Sequence, residues 1–139
     1  MANAYDVDAS SLVQAIAVKL KASDIKKPEY VGLVKSGPSR ERVPLSEDFW
    51  FVRCASVLRH VYKDGPIGMS KLRTVYGSSR GHRVRRHHHM RAGGSMIKDA
   101  FDALEKLGYV KKSPKGREIT PKGQAFVDKS SEEVFKQGE

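Results

Sequence analysis

The stretch of residues 49–62 reads FWFVRCASVLRHVY, and its pattern decides how the rest of the chain can fold. At helical spacing it carries two adjacent apolar rows and leaves only a narrow polar strip. A helix that is apolar over most of its circumference lies in the middle of a bundle, so other helices must surround this one. The first row is Trp50, Cys54, Val57 and Val61, the second is Phe51, Ala55, Leu58 and Tyr62, and the strip holds Arg53, Ser56, Arg59 or His60, and Lys63.

The sequence before this central helix predicts two further helices. A capping-box spacing that begins at Ser11, followed by an apolar row, predicts the first helix over about residues 11–22. A proline suited to a first helical turn predicts a second, short helix over residues 28–35. Ser46 is expected to cap the central helix.

The sequence after the central helix alternates between helix and loop. The Gly-Pro pair at residues 65–66 is expected to end the central helix, and a short helix is predicted over residues 69–76. Residues 78–94, SSRGHRVRRHHHMRAGG, have no usable periodicity and are expected to form a long loop. A helix resumes at Ser95 and ends at Gly108, with one apolar face made by Ile97, Ala100, Phe101, Leu104 and Leu107.

The last third of the chain suggests a winged helix. Residues 108–123, GYVKKSPKGREITPKG, predict two short strands around a turn, and Thr120 is expected to cap a last helix with Pro121 at its first position. Helix, second helix, hairpin and helix is the order of a winged helix-turn-helix. The predicted fold is mostly α: one domain over residues 1–139, a helical bundle around a central amphipathic helix with a small two-stranded β-hairpin wing. That fold says little about function.

The charge of the chain is high and unevenly placed. The 26 Lys and Arg residues exceed the 16 Asp and Glu residues by 10, which gives a pI of about 9.8. Residues 65–93 contribute +7 and residues 109–119 contribute +3, while the remaining 99 residues balance to zero. A patterned excess of this kind favours a nucleic-acid partner over a merely soluble surface.

The predicted loop is the strongest candidate for nucleic-acid binding. It holds five arginines and four histidines without a carboxylate, and guanidinium groups bind phosphates and stack on bases. Such a loop is expected to be disordered alone and to order on a phosphate-rich surface; the alternative is a solvated basic loop. With the basic residues of the flanking segments, the predicted contacts are Arg40, Arg42, Lys71, Arg73, Arg80, Arg83, Arg85, Arg86, His88, His89, Arg91, Lys111, Lys112, Lys115 and Arg117.

The second helix of the motif does not suit DNA readout. Its expected outer side carries Lys98, Asp99, Asp102, Glu105 and Lys106, one acid more than bases. Helices that read the major groove usually present a basic face. The pattern indicates a scaffold that clamps a structured polyanion with its flanking elements.

Enzymatic, metal and membrane roles find little support. His87, His88 and His89 are consecutive and cannot easily converge on one metal ion, and Cys54 lies on an apolar row, which is typical of a core residue. We find no nucleophile with a base and no phosphate loop, so no enzyme, cofactor or small-molecule substrate is expected. The longest apolar runs are only a few residues, which predicts no membrane span, and the single cysteine favours a reducing intracellular compartment.

The central stretch also resembles a known family. Its residues from Trp50 to Tyr62 are similar to the hallmark helix of the nineteen-e family of small-subunit ribosomal proteins, which occurs in archaea and eukaryotes. The resemblance runs the length of the chain and is of the archaeal type. Further similar motifs are Pro28-Glu29-Tyr30, Lys35-Ser36-Gly37, Glu41-Arg42-Val43-Pro44, Asp64-Gly65-Pro66-Ile67-Gly68, Leu72-Arg73-Thr74-Val75-Tyr76-Gly77 and Ile119-Thr120-Pro121-Lys122-Gly123.

The resemblance implies a structural protein of the ribosome. It would bind ribosomal RNA in the head of the small subunit, lie beside other head proteins, and be needed for maturation of that subunit. By position, Arg53, Arg59 and Lys98 would join the RNA contacts, although Arg53 and Arg59 have a structural alternative in which they pair with carboxylates or carbonyls. The chain departs from the family pattern at residues 85–91, RRHHHMR, where many members have a glycine-rich stretch.

Two other functions compete with this interpretation. One is a free winged-helix transcription regulator that binds duplex DNA, and the weaker one is an RNA-processing enzyme. A regulator would normally dimerise through extra helices, whereas each terminus here offers one modest helix. An enzyme would need a catalytic residue, and the sequence nominates none.

Overall fold

The computed structural model describes residues 2–23, 25–38, 40, 42–44, 46–80, 84, 86 and 88–138, excluding the side chain of Arg80. Within them, the chain is mostly helical and has a small two-stranded wing, as predicted, together with a second two-stranded antiparallel sheet that was not predicted. The elements are α1 (Ala9–Lys21), α2 (Phe49–Asp64), α3 (Met69–Tyr76), β1 (Ser78–Arg80), β2 (His88–Met90), α4 (Gly94–Lys106), β3 (Val110–Ser113), β4 (Gly116–Ile119) and α5 (Pro121–Gln137).

Helix α2 occupies the centre of the structure, as its two apolar rows predict. It packs against α1, α4, α5 and β4. The whole first row is buried, and in the second row Ala55 and Leu58 are buried while Phe51 and Tyr62 are half-buried. Burial of these side chains removes apolar surface from water, which is the main force that stabilises the bundle.

Helix α4 and the wing confirm the winged-helix order. The apolar face of α4 is buried, apart from the half-buried Leu107, and β3 pairs with β4 in antiparallel register. The backbone of Ile67, between α2 and α3, exchanges two hydrogen bonds with Arg117 at 3.0 and 2.9 Å. This isolated antiparallel bridge places Ile67 beside β4 as a third, one-residue member of the wing. The hydroxyl of Thr120 accepts a hydrogen bond from the Gly123 amide, which caps α5 as predicted.

Two predicted helix caps are wrong by a few residues. Asp8, and not Ser11, caps α1: its carboxylate accepts the hydrogen bond of the Ser11 amide, so the helix begins at Ala9. Ser46 precedes α2 by a turn, in which its hydroxyl accepts a hydrogen bond from the Asp48 amide at 3.3 Å. Aspartate occupies the N-cap position of both helices, but the Asp8 side chain makes a capping hydrogen bond and that of Asp48 makes none.

The predicted helix over residues 28–35 is absent, and this segment forms tight turns instead. Gly32 has φ 93°, a left-handed conformation that interrupts a right-handed helix, and Val31 and Val34 form an isolated bridge around it. The proline that suggested a first helical turn therefore precedes a turn instead. Its result is that Tyr30 is placed against α4, as described below.

The predicted long loop at residues 78–94 is wrong in its outer parts, which form a two-stranded ribbon. Cross-strand partners are Ser78 with Met90, Ser79 with His89, and Arg80 with His88. Strand pairing depends on partners eight to twelve residues apart, and this basic segment has no alternation of apolar residues that would predict it. The connection between the strands includes Arg83, Arg85 and His87, which lie outside the described residues.

A search of the described residues for membrane-spanning segments finds no helix with the length and apolar character to cross a bilayer.

Candidate nucleic-acid interface

The β1–β2 ribbon is fastened to the bundle at its base. The Ala92 amide donates to the Arg73 carbonyl at 2.9 Å, and Nε of Arg73 donates back to the Ala92 carbonyl at 2.9 Å. On the other side, the Gly93 amide donates to the Ser36 carbonyl at 2.8 Å. Since both strands leave from this clamp, the basic ribbon is held at a fixed place on α3 and α4.

Gly77 makes the base of the ribbon possible. A side-chain Cβ at this position would overlap the carbonyl oxygen of Met90 and would lie 2.9 Å from the imidazole of His89. The residue has φ −72°, so the close approach of the strands, and not an unusual backbone angle, requires glycine.

Arg53 is held between two aromatic rings. Its guanidinium carbon lies 4.0 Å from the centre of the Tyr76 ring and 5.1 Å from that of Phe49. Burial lowers the pKa of Arg53, the nearby Arg40 lowers it further, and Tyr76 acts in the opposite direction. The cation is therefore fixed by stacking on Tyr76, which only Gly77 separates from the first strand of the ribbon.

Arg59 also lies on the polar strip of α2, half-buried. Its Nε is buried and has no hydrogen-bond partner among the described residues. No described carboxylate lies within ion-pair distance of Arg53 or Arg59, so the expected structural alternative of an ion pair is not found there. A buried cationic donor without an acceptor is costly, and an incoming anion would reduce that cost.

The other predicted contacts differ in whether their side chains bond to other groups of the protein or are exposed. Arg73 is part of the ribbon clamp, and Nε of Arg117 donates to a carboxylate oxygen of Glu105 at 2.6 Å while its guanidinium lies 5.2 Å from the Phe101 ring centre. Lys111 is 4.0 Å from Glu118. The exposed members are Arg40, Arg42, Lys71, Arg86, His88, His89, Arg91, Lys98, Lys111, Lys112 and Lys115.

These residues form two groups in the structure. Arg53 stacks on Tyr76, Arg40 is near enough to lower the pKa of Arg53, and Arg73 holds the base of the ribbon. We call Arg40, Arg53, Arg59, Arg73 and the ribbon with Arg86 and Arg91 the basic surface. Lys111, Lys112 and Lys115 lie on the wing, which is anchored at Ile67. Arg83 and Arg85 lie outside the described residues, as does the side chain of Arg80.

The acidic side of α4 is less exposed than the sequence predicts. The Tyr30 hydroxyl donates to the carboxylate of Asp99, and Glu105 is paired with Arg117, so Asp102 is the member of the three that remains exposed. The turn that carries Tyr30 lies against α4, and Ser36 contacts Gly93 just before that helix begins. The segment before α2 thus covers part of a helix that a DNA-reading winged helix would leave free.

Sequence reasoning missed the aromatic residues that hold Arg53. Phe49 is four residues before Arg53 on the same helix, a spacing that places the two side chains side by side and could have been noticed. Tyr76 is 23 positions away, and only the tertiary fold places this last residue of α3 beside Arg53, Ser56 and His60 of the polar strip. Its hydroxyl donates to Ser56 at 2.7 Å, which fixes the ring.

No metal site or reactive thiol is found in the described part of the chain. No three metal-ligating side chains of those residues come together, although His87 is not among them. Burial raises the pKa of the Cys54 thiol, and Asp99 raises it further, so this side chain is a core residue and not a nucleophile.

Comparison with known proteins decides which family has this architecture. The family model for ribosomal protein S19e matches residues 3–137. The chain belongs to the ribosomal protein S19e family.

Relatives in distant organisms match over nearly their whole length. The small ribosomal subunit protein eS19 of Aeropyrum pernix is 38% identical over 99% of this chain and 92% of that protein. That of Thermoplasma acidophilum is 36% identical over 94% and 88%, and the protein eS19G of Ascaris suum is 39% identical over 93% and 89%. As a member of this family, the chain is a structural protein of the small ribosomal subunit and not an enzyme.

Proposed function

We propose that this chain binds ribosomal RNA in the head of the small subunit through its basic surface and wing, beside other head proteins. In that role it is needed for assembly of the subunit, and it acts in the cytoplasm as part of the ribosome. The predicted RNA contacts named above, with Lys98, are the residues that would carry the binding. The observation that supports this most directly is that Arg53, Arg59, Arg86 and Arg91 have no carboxylate within ion-pair distance among the described residues.

The shape of the basic surface supports RNA as the ligand. A two-stranded ribbon can lie along a groove, and RNA helices offer a shallow minor groove with phosphates on both sides. Arginines bind phosphate in bidentate fashion, and Arg53 is already oriented by Phe49 and Tyr76. Because these groups are positioned before binding, little side-chain freedom remains to be lost at Arg53 when RNA arrives.

A first experiment tests membership in the particle. Native lysate is sedimented through a sucrose gradient in high salt, and the chain is detected by blotting. We expect salt-resistant migration with small subunits and whole ribosomes. Recovery in the light fractions alone would contradict the proposal.

A second experiment tests which face meets RNA, and it uses the burial of the single cysteine. Since Cys54 is buried and its pKa is raised, a cysteine introduced at the surface is the one that reacts with a tethered iron chelate. Hydroxyl radicals generated from Arg86→Cys or Lys112→Cys in purified small subunits should cut head RNA strongly. The matched control is Lys129→Cys on α5, from which we expect weak cleavage. Equal cleavage from all three positions, or cleavage outside the head, would overturn the assignment.

The assembly role has its own test. In cells whose only copy carries Arg59→Ala, we expect fewer mature small subunits and an accumulation of their precursors. The conservative variant Arg59→Lys keeps the charge and should restore part of the loss. A normal subunit profile in Arg59→Ala cells would show that this residue is not needed for assembly.

A further inference from the structure

A groove between α1 and α5 differs in character from the basic surface. It has a volume of about 780 Å³ and is lined by residues 6–8, by α1 and by the last turns of α5. None of the predicted RNA contacts is among its lining residues. A partner that binds in this groove therefore contacts a part of the protein surface that is separate from the basic surface.

The groove has exposed apolar side chains in its lining. Val18 is 69% exposed and Phe135 is 46% exposed, although both are large hydrophobic residues on regular helices. A single exposed valine is ordinary, but two such residues facing one groove form a patch that a partner can cover.

The charge of the lining is negative in a strongly basic chain. Asp6, Asp8 and Glu133 contribute three carboxylates against the single cation Lys19. Lys19 is already bound: its ammonium lies 2.9 Å from Glu133 and donates to the Ser130 hydroxyl at 3.0 Å. Asp6 accepts a hydrogen bond from the Asn3 amide at 3.0 Å, and Asp8 accepts hydrogen bonds from the Ser11 amide and hydroxyl at 3.1 and 3.3 Å. Neither carboxylate has a cationic partner among the described residues, so both keep a negative charge that an incoming cation can meet.

The helix ends reinforce this preference for a cation. The groove includes Gln137 and Gly138 at the end of α5, where helix carbonyls carry partial negative charge. The start of α1 also borders the groove and would favour an anion, but the carboxylate of Asp8 already caps it. Phosphates would be repelled by this lining, so RNA does not fit.

From these observations we propose that the α1–α5 groove binds a Lys/Arg-rich amphipathic segment of a neighbouring protein, with apolar side chains on Val18 and Phe135 and cations at Asp6 and Asp8. The inference extends the proposed function, since it assigns the protein neighbours of the chain to one surface and gives the chemistry of their contact. Its test is separable from RNA binding, because the two surfaces share no residue.

The chemistry is tested on the full chain with two synthetic probes. One is a fluorescent amphipathic helix of Leu and Lys, and the other has Glu in place of every Lys. We expect the Lys peptide to bind and the Glu peptide not to bind. Phe135→Ser should weaken the Lys peptide about tenfold, as loss of roughly half a buried aromatic side chain predicts. Asp6→Lys should weaken it through charge reversal.

The matched control is Val75→Ser, an equally exposed apolar residue on α3, 46% exposed and outside the groove. It should leave peptide binding unchanged, and all these variants should keep the melting temperature and RNA affinity of the parent. Equal binding by the parent and the groove variants, or binding of the Glu peptide, would overturn the proposal.

The source of the occupant is tested in purified small subunits. A photocrosslinking amino acid replaces Val18 or, in a second preparation, Phe135, with position 75 as the control. We expect crosslinks to a protein segment with an excess of Lys and Arg, identified by mass spectrometry. Crosslinks to RNA, to a second copy of this chain, or at neither groove position above the control would each overturn the proposal. Failure of the chain to sediment with subunits would instead count against the proposed function. The peptide-binding experiment would still test the groove proposal in that case, because it uses the isolated chain.

Discussion

Helix α2 and the β1–β2 ribbon are stabilised in opposite ways. Helix α2 is surrounded by apolar neighbours and buries its own side chains, with Trp50 and Cys54 almost fully enclosed. The ribbon buries little, since His88 and His89 are exposed, and it is fixed by the clamp of Arg73 with Ala92 and by the room that Gly77 leaves. We infer that substitutions of the buried side chains of α2 change the stability of the whole chain, whereas substitutions of the exposed side chains of the ribbon change what the chain binds.

The largest expected effect is at the centre of α2. Trp50→Ala should lower the free energy of unfolding by about 3–5 kcal/mol, because the indole is 1% exposed and its removal leaves a cavity. Chemical denaturation of the purified chain measures this. Trp50→Phe is the control: the indole N–H has no hydrogen-bond partner among the described residues, so replacing it with an apolar ring should cost much less. An unchanged stability in Trp50→Ala would show that α2 is not the centre of the core.

The next effect is at the base of the ribbon. Gly77→Ala should lower the free energy of unfolding by about 1–3 kcal/mol, because the added methyl group overlaps the Met90 carbonyl and forces the strands apart. It should also weaken RNA binding, since the ribbon is displaced. Thermal melting and RNA titration measure the two changes. Gly68→Ala, where no atom lies within 4 Å of the new methyl group, should show neither.

A smaller effect on stability and a clear effect on binding are expected for the ribbon arginines. Arg86→Ala with Arg91→Ala should reduce the salt dependence of RNA affinity by a slope of about 2, one for each lost phosphate contact. The melting temperature should stay close to that of the parent, because both side chains are exposed. The control variant, Lys129→Ala with Lys136→Ala, removes the same charge from α5. It should reduce the salt dependence of RNA affinity less than the ribbon variant does. A large fall in melting temperature of the ribbon variant would mean that the ribbon belongs to the core.

The smallest effect is at His60, between the core and the basic surface. Burial lowers the pKa of His60 below its ordinary value of 6.5; Arg59 and Lys63 act in the same direction, and Asp64 acts against them. As the pH falls through 6.5, the unfolded chain therefore takes up a proton before the folded chain does. The free energy of unfolding should decrease over that window and level off below the folded pKa.

His60→Gln should remove this part of the pH dependence, and denaturation series between pH 7 and 5 measure it. The exposed His89→Gln is the control and should leave it in place. If the parent and His60→Gln lose stability equally as the pH falls, the imidazole of His60 is not the group that titrates.

The basic character of the candidate interface could be predicted, but not its arrangement. Counting charges along the chain found the segments that carry the ribbon and the wing, because charge is a local property of sequence. Charge alone did not separate Arg117, whose Nε is bound to Glu105, from Arg86, which is exposed. That difference depends on which carboxylate the fold brings within reach, and Glu105 lies twelve residues away on another element.

By itself, the sequence determined the central helix, the buried face of α4, the wing and the cap at Thr120, because helical periodicity, turn residues and capping act over a few residues. It also determined the family. Tertiary structure decided that residues 28–35 turn at Gly32 and place Tyr30 on Asp99, that a basic loop pairs as a ribbon, and that Tyr76 stacks on Arg53. Each of these depends on contacts between distant residues, whose free energy is gained only after the core around α2 has brought them together.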